Sequence, residues 1–80
     1  MRYKFDLTMP LSAKANSIIS FASDRGCTAT LIDSDSYGKP LWRYESEEFD
    51  EVKNLLQDLK GIPLDDKRAL MIIVDTANTA

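Results

Sequence analysis

Apolar residues alternate at the start of the chain, with Tyr3, Phe5, Leu7 and Met9 on one side and Arg2, Lys4, Asp6 and Thr8 on the other. This two-residue period predicts a half-buried strand, which Pro10 ends because it cannot donate to a ladder. Ser12 is placed to cap a helix in which Ala15, Ile18, Ile19 and Ala22 recur on one face, with Gly26 as its left-handed stop. Cys27 to Ile32 is rich in Thr and apolar residues and predicts a second strand. The turn-forming stretch Asp33 to Pro40 joins it as a hairpin to a third strand over Leu41 to Glu45.

The strongest helix signal follows. Ser46 is a candidate N-cap, Glu47, Glu48, Asp50 and Glu51 place negative charge at the positive end of the dipole, and Phe49, Val52, Leu55, Leu56 and Leu59 form an apolar stripe. Gly61 and Pro63 stop it, so the helix is expected over about residues 47–60. After a charged connector, the apolar run Ala69 to Val74 predicts a last strand, and residues 76–80 a flexible polar tail.

Two apolar helix stripes can share one side of a sheet if the order is β-α-β-β-α-β. The predicted fold is therefore α+β: a two-layer, ferredoxin-like sandwich in one domain spanning residues 1–80, with a four-stranded antiparallel sheet carrying two helices on one face. Its other face would be open and polar around Arg2, Lys4 and Asp6. The last strand would present either Leu70, Ile72 and Val74 or Met71 and Ile73 away from the helices. An apolar strip on an exposed strand invites a partner.

Composition narrows the chemistry. With 44% apolar and 29% charged residues, the chain reads as an ordinary globular domain, and its single cysteine points to a reducing, cytoplasmic setting rather than a disulfide scaffold. Its longest apolar run is far short of the roughly 20 residues needed to cross a bilayer, so no membrane partner is expected. The net charge of -3 divides unevenly: residues 1–44 carry six basic and four acidic side chains, residues 45–80 four basic and nine acidic. That balance argues against nonspecific binding to nucleic acid.

The absence of histidine removes the commonest general base, metal ligand and phosphoryl carrier together. Phosphocarrier proteins have a similar element order, but their chemistry needs a histidine near the start of the first helix. Cys27 follows the C-terminal end of a helix, where the dipole disfavours a thiolate. The three glycines never fall at G-x-G spacing. Asp33 to Gly38 begins like a calcium loop, but its twelfth position is Tyr44 rather than a bidentate Glu. Neither an enzyme, a metal nor a cofactor is expected.

A non-enzymatic protein-binding module is expected instead, acting as inhibitor, adaptor or regulator of a protein partner, with a homodimer as a further option. The candidate contact residues are Glu47, Glu48 and Glu51 at the acidic helix start, Trp42 and Tyr44 on the third strand, and Met71 and Ile73 on the last. Two alternatives accompany this reading. Trp42 and Tyr44 beside Arg43 and Lys39 could stack bases in a nucleic-acid module, or the acidic cluster could mimic phosphates. The segment Ile18 to Cys27 resembles the helix-to-strand turn of amino-acid-binding regulatory (ACT) domains, which would imply a small-ligand-binding regulator. The acidic and glycine residues such domains use before the helix are replaced here by Met9-Pro10-Leu11-Ser12.

Overall fold

A computed structural model describes residues 2–75, with side chains described for residues 2–73. In chain order the elements are β1 (Tyr3–Thr8), α1 (Ala15–Ser23), β2 (Thr28–Ser34), β3 (Pro40–Ser46), α2 (Phe49–Lys60), α3 (Asp66–Ile72) and β4 (Val74–Asp75). The expected tail over residues 76–80 lies outside the described residues.

The sheet is antiparallel, in the order β2-β3-β1-β4. Three strands build it, and β4 adds only two residue pairs, Tyr3 with Asp75 and Lys4 with Val74. The expected four-stranded sheet with two helices is thereby corrected: Ala69 to Val74 is not a strand, because most of it belongs to a third helix. The Asp65 side chain accepts from the Arg68 backbone N–H at 2.8 Å, capping that helix, and Asp66 adds favourable charge to its first turn.

Cross-strand register decides which side chains are enclosed. Phe5 lies opposite Tyr44, Leu7 opposite Trp42, and Tyr44 and Trp42 in turn opposite Ala29 and Leu31. This face meets the helices. Ile18 and Ala22 of α1, Val52, Leu55 and Leu56 of α2, and Ala69 of α3 join Phe5, Trp42 and Tyr44 in one buried cluster. Phe5 stacks on Tyr44 with ring centroids 5.0 Å apart, and Tyr3 meets Phe49 edge-on at 5.7 Å.

The caps follow the expected chemistry unevenly. Ser46 is buried, and its hydroxyl accepts from the Glu48 N–H at 3.2 Å, so it satisfies one free donor just before α2 begins. Gly61 closes α2 at φ 69°, in the left-handed region that favours glycine. Neither expected serine holds an N-cap position: Lys14 stands there in α1 and Glu48 in α2, each without a side-chain cap bond.

The opposite sheet face is polar and ion-paired. Arg43 grips Asp6 with two bonds, Nε to Oδ1 at 2.9 Å and Nη2 to Oδ2 at 3.1 Å, and Arg2 meets Glu45 at 3.3 Å. The Asp6 hydrogen bond raises the Arg43 pKa above its already high ordinary value. Arg43 is therefore a permanent cation whose fork is already occupied.

Candidate binding surfaces

The expected contact residues separate into an enclosed group and an exposed one. Trp42, Tyr44 and Ile73 are core residues, so none of them can serve as a stacking platform or a docking strip. Glu47, Glu48 and Met71 are exposed, and Glu51 is half-buried. The structure does not gather the exposed ones into a single site, because Met71 stands on α3 while the glutamates flank the start of α2.

Burial has a chemical cost at Trp42 and Tyr44. Among the described residues, neither the indole Nε1 nor the phenolic oxygen has a hydrogen-bond partner. Burial also pushes the Tyr44 phenol up to about 12. An unsatisfied buried polar atom costs roughly 1–3 kcal/mol. Tyr44→Phe removes that atom with little change in shape, and is expected to raise stability by about 1 kcal/mol in chemical denaturation. A loss of similar size would show that the hydroxyl has a partner in solution.

Cys27 is equally withdrawn. Desolvation, reinforced by the nearby Glu51 charge and opposed by Arg25, pushes the thiol from 9.0 up to about 11. The thiolate fraction at neutral pH falls by roughly 100-fold for such a shift. Native protein is therefore expected to react with iodoacetamide about two orders of magnitude more slowly than denatured protein at the same pH. Comparable rates would contradict the buried placement. The sign of the shift also fixes a pH dependence, because a folded state holding this proton more tightly loses stability as pH rises from about 9 towards 11.

At the acidic start of α2, Glu51 is positioned rather than free. Its carboxylate lies against Gly26 so closely that a Cβ there would collide with Oε2. The Ser46 hydroxyl also reaches it at 3.5 Å. Gly26 itself has φ 76°, so glycine serves twice here, for the turn and for the close approach. Glu47 and Glu48 line the same shallow hollow with Arg2, Thr28 and Glu45. The result is a local negative field with one cation at its rim.

The hairpin loop uses its acid internally. Asp35 Oδ1 accepts from both the Tyr37 and the Lys39 backbone N–H at 2.9 Å, so that oxygen builds the turn. A shallow surface hollow lies between α1 and the end of α2, lined by Phe21, Arg25, Gln57, Asp58 and residues 61–63. Its cation is already engaged: Arg25 donates to Asp58 at 2.7 Å and lies 3.6 Å over the Phe21 ring.

The apolar strip expected on a last strand lies instead on the outer side of α3. Ala69 is fully enclosed, and Ile73, one turn on, is buried with it. At about 100° per residue, Met71 is then directed away from the core, with Lys67 and Arg68 near it and Leu70 and Ile72 on the flanks. Leu70, Met71 and Ile72 are 55%, 78% and 37% exposed. Helix α3 is held at its base by the Lys53–Asp66 ion pair and by the Gln57 side chain, which accepts from the Leu64 N–H at 2.7 Å.

Comparison with known proteins gives no match, neither to a family model, nor to a curated protein, nor to a solved structure. Among the described residues, no helix is long and apolar enough to cross a membrane.

Proposed function

We propose that the protein is a non-enzymatic protein-binding module that docks onto a protein partner through α3. The observation that carries this reading is the run of three consecutive large apolar side chains, Leu70, Met71 and Ile72, left in solvent by a helix whose other side is firmly anchored. Exposed apolar area of this kind is stabilised by covering it. Methionine suits the role, since its unbranched, polarisable side chain adapts to irregular apolar surfaces. Lys67 and Arg68 beside it favour a partner pocket with an acidic rim.

Glu47 and Glu48 supply a second, electrostatic element that repels acidic partners and steers basic ones. The lack of histidine and the raised Cys27 thiol both support a binding role over a catalytic one. Capture from the native lysate tests this reading, with wild-type protein compared against Met71→Asp and against Glu47→Lys/Glu48→Lys. Loss of a specific partner with Met71→Asp is expected, whereas the lysine variant should weaken capture in a salt-dependent way. Identical capture by wild type and Met71→Asp would remove α3 from the interface.

A further inference from the structure

We propose that the outer edge of β2 pairs with a second copy of the chain, joining two sheets across a two-fold axis. The hydrogen-bond phase of the sheet indicates which backbone groups are free to do this. Met9 N–H donates to the Pro40 carbonyl at 2.9 Å, so the even-numbered residues of β3 face β1 and the odd-numbered ones face β2. Thr28 and Thr30, opposite Glu45 and Arg43, are therefore bonded inward. The backbone groups of Ala29 and Leu31 point outward, at a margin of the sheet that no other strand borders among the described residues.

Isolated edges normally carry a guard against pairing: a lysine, a proline, an inward-pointing charge or a bulge. Thr28 to Leu31 has none of these, and the bulge at Ile32 sets the limit of the flat segment, leaving four residues for pairing. That segment is self-complementary over Ala29 to Leu31 when Thr30 lies opposite the partner copy's Thr30. Ala29 then bonds opposite the partner copy's Leu31, small against large, on the helix side, and no charges meet.

A flanking apolar side chain strengthens the case for a second copy over an unrelated strand. On α1, Ser17 and Phe21 lie towards Leu59 of α2, where they share a hollow with Met9. Ile19 stands on the opposite flank of that helix, over the β2 side, and is 45% exposed, while Leu31 is 56% exposed. Two-fold pairing brings both copies of this flank to the same seam. The other margin of the sheet is less suited, because β4 pairs with Lys4 and Tyr3, Asp6 is charged, and Ile72 borders the remaining gap.

Sedimentation at about 50 µM tests the proposal, since dimers at typical affinities are populated there. Wild-type protein is expected at twice the 9.0 kDa chain mass. Leu31→Lys should halve that mass with an unchanged far-ultraviolet circular dichroism spectrum. A Leu70→Asp/Met71→Asp variant should stay dimeric, which separates this seam from α3. In a Cys27→Ser background, Thr30→Cys should cross-link to itself under mild oxidation, because residues opposite each other in a non-hydrogen-bonded pair approach to about 4.5 Å. A monomeric wild type, a dimeric Leu31→Lys, dissociation of the α3 variant, or failure of Thr30→Cys to cross-link would each overturn the assignment.

Discussion

Leu55→Ala is expected to lower the unfolding free energy by about 3 kcal/mol and the melting temperature by about 15 °C. Leu55 is fully enclosed on the α2 face that packs against the sheet, in one cluster with Phe5, Tyr44 and Val52. Truncation there removes transfer free energy and leaves a cavity that rigid neighbours fill only partly. For 80 residues the total stability is on the order of 4–12 kcal/mol, so this one change consumes a large share of it. The measurement is thermal and urea denaturation beside wild type. A loss below about 1 kcal/mol would mean that α2 does not seat its stripe on the sheet.

The second large effect is local. Ala69→Asp introduces a carboxylate at a fully enclosed position of α3, where burying a charge without a partner is costly enough to release the helix instead. Loss of amide-exchange protection is expected for residues 66–73, while protection persists over Val52 to Leu56. Partner capture through Met71 should disappear together with it. A variant that keeps its protection at 66–73 would show that α3 is not packed by that face, and the orientation of Met71 would have to be reassigned.

How far the sequence reveals this structure depends on how much each signal constrains. Strand β1 is legible because four apolar residues alternate without interruption before a proline. Helix α2 is legible because charge, stripe and the Gly61 stop agree, although it starts at Phe49 with Glu48 rather than Ser46 at its N-cap. The hairpin is legible from its turn residues, although β2 and β3 each extend past the expected limits.

The last element fails for a physical reason. Six consecutive apolar residues have no period, so a buried strand and a short helix look alike. The signal that separates them lies before the run: Asp65 stands at an N-cap, Asp66 in the first turn, and Ala69, Leu70 and Met71 are good helix formers. That one substitution of helix for strand rearranges the surface. Met71 and Ile73 share a face in a strand, but the helix buries Ile73 and turns Met71 outward.

The aromatic pair shows the converse limit. Trp42 and Tyr44 lie on one side of β3, as alternation requires, but only the register against Phe5 and Leu7 fixes that side as the helix-covered one. The acidic cluster is legible as composition, whereas the contact of Glu51 with Gly26 depends on residues far apart in sequence.

Photo-crosslinking from position 71, with a photoreactive side chain in place of Met71 and a control placed at exposed Ser36, bears most directly on docking by α3. One specific adduct from position 71 is expected, absent from the control and suppressed by an added Leu70→Asp change. Equal adducts from both positions, or none from position 71 while the protein still captures its partner, would contradict it.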